Sequence, residues 1–323
     1  MAYRRPEAAR APVGNRRRPG LRWIGPVFLA AAFLASWLAT FFGGRFGIGG
    51  WILITVVWPL VGLVMLFWFA LVSAIRRRVT RTRGFSALLA LPMVWPLAWA
   101  FDLGAVAYPA SEALTRPSIA VRPPSDSPLR VVWGGSSLAH NRHAASPGQR
   151  WAYDLVVEPA ATGARSLADY GCFGTPVLAP MGGVVALASD GAPDLAIGET
   201  LADPAGLLGN HVVLKLETGT HLVIAHLKKG SVRVKSGDVV AESQVLGACG
   251  NSGNSSEPHI HLHHQRQNPN ILRGDLDFGV NYVEGLPLTF RSLKGPERPR
   301  GGIEVRNNQV RLTGDTIRYD GPR

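Results

Sequence analysis

Apolar residues are distributed in two different ways along this chain. Over the first 110 positions they form long unbroken runs, and beyond that they come as short segments separated by turn residues. Three long runs lie at residues 23–42, 51–75 and 85–108. Each holds about 20 residues or more, the length a helix needs to cross the hydrocarbon core of a bilayer. Gly43-Gly44-Arg45 predicts a turn between the first two. Pro92 and Pro96 interrupt the third, which membrane helices tolerate. Residues 109–129, with Pro117, Pro123, Pro124 and Pro128, read as a linker. From Arg130 onward, Val-rich segments at 176–180, 183–188, 211–216, 221–227 and 245–247 alternate with Gly, Asn and Asp turns. That is the pattern of an all-β domain with many short strands. The chain thus divides into a basic N-terminal segment (1–22), a three-helix transmembrane region (23–108), a linker (109–129) and a β domain (130–323).

Charge sharpens this division. The net charge is +12, and residues 1–84 hold 13 of the 34 Lys and Arg but only one acid, Glu7. The remaining residues carry 21 basic and 21 acidic side chains, so the β domain is neutral overall. A nucleic-acid partner would need a basic stripe on the folded domain, and this balance argues against one. Arginines cluster before the first run (Arg4, Arg5, Arg10, Arg16, Arg17, Arg18, Arg22) and between the second and third (Arg76, Arg77, Arg78, Arg81, Arg83). Positive segments stay cytoplasmic. The pattern predicts a multi-pass protein of the inner membrane, with its N-terminus inside and its β domain in the periplasm or extracytoplasmic space. Two cysteines, Cys172 and Cys249, are either a disulfide or two small buried side chains.

All nine histidines follow residue 139. Four lie in Glu257-Pro258-His259-Ile260-His261-Leu262-His263-His264. On a strand, alternate residues share a face, so His259, His261 and His263 oppose Ile260 and Leu262. A catalytic zinc site takes three protein ligands and keeps one position open for water. Asp154, in the expected strand at 151–157, is the carboxylate best placed to join a histidine set, and His143 is its nearest upstream histidine. His211 reads as a surface strand position, and His221, five positions from His226, as lying on the opposite strand face. His263 is a candidate neighbour of the ligands, and His264 points away.

Three segments occur in a telling order: His143…Asp154, Ala225-His226-Leu227 and His259-Ile260-His261. With Gly174-Thr175-Pro176-Val177-Leu178-Ala179-Pro180, Gly209-Asn210-His211-Val212-Val213 and Gly250-Asn251-Ser252-Gly253, the stretch from about 130 to 290 resembles the lysostaphin-type (LytM-like) zinc endopeptidases of bacterial cell walls. The resemblance implies an antiparallel β sheet with a groove and one Zn²⁺ held by His143, Asp154 and His261. It implies His226 and His259 as catalytic histidines that do not bind the ion. The implied reaction is cleavage of peptide stems or cross-links of peptidoglycan by a zinc-activated water. The alternative is a module of the same fold that binds the wall or activates another wall hydrolase without cutting. The family's usual first motif is a compact His-x-x-x-Asp, whereas ten residues separate His143 from Asp154 here. Gln149-Arg150-Trp151-Ala152-Tyr153-Asp154 fits a looped version, and the insertion leaves His140 as a rival first ligand. The implied partners are peptidoglycan peptide and the lipid bilayer, with any wall-hydrolase or regulatory partner unknown.

Overall fold

The computed structural model describes residues 22–101, 103–199, 206–268 and 283–322. The basic segment expected at the N-terminus lies, up to residue 21, outside the described residues. The first apolar run forms the helix Ile24–Thr40, 17 residues long. Gly43, with φ of 66°, turns the chain, and a new helix opens at once on Gly44. Gly44 and Arg45, expected in a turn, are therefore helical, and so is the stretch up to Trp51. Small residues explain why: a Cβ on Gly50 would stand 2.6 Å from the Ser36 carbonyl oxygen, so glycine lets this helix lie against the first. The helix continues through a π-helical stretch, Leu53–Val57, to Arg76. The third run forms Arg81–Val94 and then tightens into the 3₁₀ segment Trp95–Phe101. Pro96, lacking an N–H, cannot continue the α pattern.

Two of these helices, Gly44–Arg76 and Arg81–Phe101, are long and apolar enough to cross a membrane by length and composition, whereas Ile24–Thr40 is shorter. Of the three full-length spans expected, two helices reach that length and the first apolar run forms a shorter one. Phe33, Ile54, Trp58 and Met93 pack together between them, and the Trp58 indole N–H donates to Ser36 Oγ at 2.9 Å. Phe28, Phe67 and Trp68 point outward and are exposed.

The rest of the chain is built on a ten-stranded sheet. Nine strands run in the order Leu293–Lys294, Thr316–Tyr319, Leu129–Trp133, Tyr153–Val156, Ile260–Gln265, His221–Leu227, Asn210–Lys215, Gly183–Ser189, Val239–Val240, the tenth, Gly285–Leu286, pairs with Ile260–Gln265 off this path, and every neighbouring pair is antiparallel. One face carries the main core, including Leu155, Leu222, Ile224, Ile260 and Leu262. On the strand Ile260–Gln265 the apolar positions alternate with histidines, which leaves the other face of that strand to hold side chains of the site. Cys172 and Cys249 form a disulfide, with Cα atoms 5.6 Å apart. Within the Pro-rich stretch before the sheet, Ile119–Val121 pairs in parallel with Leu288–Phe290. The helical part meets the sheet part at Tyr108: its N–H donates to Ala144 O at 2.8 Å, and its carbonyl accepts from Arg150 Nε at 2.7 Å.

Candidate metal centre

The strand Tyr153–Val156 lies beside Ile260–Gln265, with Asp154 opposite His261. This register sets the Asp154 carboxylate against the His261 ring, Oδ1 to Nδ1 at 2.7 Å. His143 comes from a loop and short 3₁₀ turn, Arg142–Ala145, and places Nε2 2.9 Å from Asp154 Oδ2. One donor atom from each of His143, Asp154 and His261 lies within 4.8 Å of the others. Asn141 holds the loop in place. It is fully buried, donates through Nδ2 to Gly135 O and Ala152 O, and accepts from the His143 N–H at 3.0 Å. His143 also shares a side-chain hydrogen bond with Gln149 that favours the protonated ring. His140 turns away, with Nδ1 2.9 Å from Gly301 O, and it is His143 that lies beside Asp154.

The donor set fits a cation on an argument from proton positions. Gln265 Nε2 donates to Gln267 O at 2.8 Å, so Gln265 Oε1 must be the atom facing His263 Nε2 at 2.9 Å. His263 Nε2–H therefore donates to it, and His263 Nδ1 accepts from His261 Nε2–H at 2.9 Å. Burial, with neighbouring His143 and His259 adding to it, lowers the His261 pKa despite Asp154, so the ring is neutral near pH 7. Its Nδ1 then presents a lone pair to a carboxylate oxygen. Two acceptors at 2.7 Å need a cation between them, and imidazole with carboxylate suits zinc. Burial would raise the Asp154 carboxyl, but the charges of His143 and His259 and the hydrogen bond from His143 hold it well below its ordinary value.

His226 and His259 complete the cluster. Their ring centroids are 4.6 Å apart, and His226 lies 5.6 Å from His261. Both rings are tied back through Nδ1, His226 to Ser252 O at 2.8 Å and His259 to Glu257 O at 2.9 Å and Ser255 Oγ at 3.0 Å. His259 Nε2 is left facing Asp154 Oδ1 at 3.7 Å. Strand alternation alone would send His226 into the main core behind Leu222 and Ile224. A bulge prevents this: Asn210 pairs with Leu227 and Val212 with Ile224, so Ala225 and His226 together oppose His211. His226 has φ of 63°, a left-handed conformation uncommon for histidine, and turns to the face of His259 and His261. The expected separation of His221 and His226 onto opposite faces therefore fails, because it assumed an unbroken strand. His211, expected at the surface, is buried, since its strand is flanked on both edges by others. His264 is on the face away from the cluster and contacts Thr220 Oγ1 at 2.7 Å.

Backbone packing explains the glycine motifs. A Cβ on Gly209 would fall 2.4 Å from the Ser252 carbonyl carbon, and one on Gly253 2.4 Å from Gly209 N. This contact seats the 250–256 loop, which carries the acceptors for His226 and His259. Sequence reasoning missed Asn141, Ser252 and Ser255, because their work is done through hydrogen bonds to backbone and ring atoms that no spacing announces. It also missed the hairpin Ile303–Arg306 and Gln309–Leu312, which forms one wall of the groove over Asp154 and His259.

Residues 166–271 match the model of peptidase family M23. His226, His259 and His261 fall inside the matched stretch, and His143 and Asp154 precede it. Among curated proteins, none matches the chain. Similar solved structures include the catalytic domain of the prophage-encoded M23 protein EnpA from Enterococcus faecalis, 22% identical, covering 46% of this chain and 90% of that one at a TM-score of 0.29. The catalytic domain of lysostaphin from Staphylococcus simulans is 23% identical, covers 42% and 77%, and scores 0.26. A zinc-containing peptidase from Vibrio cholerae is 18% identical, covers 45% and 37%, and scores 0.28. Residues 166–271 of this chain thus match peptidase family M23, in keeping with the lysostaphin-type pattern that its histidine motifs resemble.

Proposed function

We propose that this protein is a zinc-dependent endopeptidase that cuts peptide stems or cross-links of peptidoglycan, with its β domain outside the cytoplasm and its apolar helices in the membrane. The observation that carries the reading is the asymmetric cluster: three donor atoms converge on one point, and two further rings are held beside it without being drawn into it. His143, Asp154 and His261 would hold the ion. Zinc bound there supplies a water whose pKa is lowered to about 7, hence a hydroxide at neutral pH.

His226 and His259 are fixed by their Nδ1–H bonds so that Nε2 is the free atom. Each accepts a proton at Nε2 or donates it back, to the water on one side and the leaving amine on the other. Burial, with His259 and His261 adding to it, lowers His226 well below its ordinary value. It is neutral at rest and gives up an acquired proton readily. The helices support a membrane anchor through their length, their outward Phe and Trp residues, and the arginine asymmetry around the apolar runs.

The test is metal analysis of the full chain purified in detergent, together with digestion of isolated peptidoglycan. About one zinc per chain and release of peptide fragments support the proposal. Zinc and wall binding without cleavage would establish the non-catalytic alternative.

A further inference from the structure

A groove of about 600 Å³ opens over Asp154 and His259. Trp133, Val310 and Leu312 give it apolar walls, and Thr162 and Glu257 stand at its polar side. Among the described residues no lysine or arginine lines it, and the only formal charges there besides histidine are the carboxylates of Asp154 and Glu257. The two carboxylates differ. Asp154 is enclosed by His143, His259 and His261. Glu257 accepts one backbone N–H, from Ala161 at 3.1 Å, and no lysine or arginine acts on it among the described residues. A half-buried carboxylate held by one amide has lost water without gaining a counter-ion.

We infer that Glu257 is a subsite for a primary ammonium group on the peptide that occupies this groove. The inference rests on the peptidase reading for the kind of ligand, and on the groove itself for the charge. Glu257 is two residues from His259 in sequence, and its own carbonyl holds the His259 ring. The ammonium it takes therefore belongs to a residue close to the bond at the metal, and it binds there as an alkyl-ammonium against a carboxylate. Burial raises the Glu257 carboxyl above its ordinary value, with the Ala161 N–H and His259 acting against that. This is the sign expected of an anion short of cationic partners.

Ammonium groups come from a side chain or from a free N-terminus. The experiment separates them with three probes: an N-acetylated stem pentapeptide with lysine at its third position, its norleucine isostere, and the norleucine peptide with a free N-terminus. Binding to the metal-free full chain is read by calorimetry, and kcat/KM is read on the zinc-loaded chain. A charge-assisted pair in a half-buried site predicts binding of the lysine peptide about 10-fold or more tighter than the norleucine peptide. Glu257→Gln keeps an acceptor for the Ala161 N–H and should bring that ratio close to one. If the free N-terminus rather than lysine gives the preference, the subsite takes an α-amine. Equal binding of all three peptides, no binding at millimolar concentration, or an unchanged ratio in Glu257→Gln overturns the inference. The wild-type ratio needs no variant, so a variant that misfolds leaves the test intact. Discrimination without cleavage would sink the peptidase reading and keep the subsite, whereas cleavage without discrimination would do the reverse.

Discussion

The two sides of the histidine cluster are made of the same ring and differ in what stands behind it. On one side, His143 and His261 face a carboxylate, and His261 is backed by His263 and Gln265. On the other, His226 and His259 are tied through Nδ1 to carbonyl oxygens of a loop. In the first arrangement the lone pair that remains on His261 points at an anion and calls for a cation. In the second, Nε2 is the atom the loop leaves unbound, with His259 Nε2 3.7 Å from Asp154 Oδ1, and it calls for a proton. A histidine's role thus follows from its second nitrogen's partner, and that partner comes from another part of the chain.

The largest effects should come from breaking the first side. Asp154→Ala and His261→Ala each remove a donor atom and the register contact that orders the other. We expect zinc affinity to fall by more than about 100-fold and hydrolysis to vanish with it, read by metal analysis after dialysis. His140→Ala should keep zinc. Loss of zinc in His140→Ala with retention in His143→Ala would reverse the assignment.

The second side should break differently. His226→Ala and His259→Ala should retain about one zinc per chain and lose about 10²–10⁴-fold in rate, the usual cost of removing a positioned acid–base group. Zinc loss comparable to that of Asp154→Ala would erase the distinction between the two sides.

Between these lies the backing of His261. Gln265→Leu removes the acceptor that fixes the proton on His263 and, through it, on His261. Zinc affinity should drop by about 10- to 100-fold. Gln265→Glu keeps an acceptor at the same place and should restore most of it. Equal losses in both variants would mean that Gln265 acts through packing alone.

How far these partners were legible in the sequence follows the same division. Residues two apart on the strand Ile260–Gln265 share a face by geometry, so His259, His261 and His263 could be grouped from spacing. The segment 221–227 was readable as a strand to its last residue, because apolar positions run through it. His226 was readable only from the motif around it. Its place depends on a bulge and a left-handed backbone angle, and neither has a signature in the apolar pattern. Asn141 and Glu257 were invisible for a further reason, since each acts on backbone brought close only by the fold. The helical part shows the converse. Apolar length located the helices, but one opened at Gly44 where composition suggested a turn, and close packing of its Gly50 against Ser36 offsets glycine's poor helix propensity.

The smallest expected effect concerns a histidine outside the cluster and serves as its control. His264 lies on the opposite face of the same strand, with Thr220 Oγ1 at 2.7 Å and Pro287 O at 3.2 Å. Burial pushes its pKa down to about 4, with Arg266 and His221 adding to that and the Pro287 carbonyl opposing it. In the unfolded chain the ring titrates near 6.5, so as pH falls the unfolded state takes up the proton first. The neutral folded ring therefore contributes stability that is intact above about pH 6.5 and is lost progressively as the pH drops toward 4. By pH 5 the loss attributable to this residue is of order 1–2 kcal/mol. Metal-free wild-type chain should show a lower denaturant midpoint at pH 5 than at pH 7. His264→Gln, which keeps one donor and one acceptor but cannot titrate, should show a smaller drop while leaving zinc binding at pH 7 unchanged. An equal drop in both proteins would place the acid sensitivity elsewhere. A loss of zinc in the variant would mean that the two faces of the strand are not independent, and that the contrast between ligand-bearing and structural histidines is weaker than their geometry indicates.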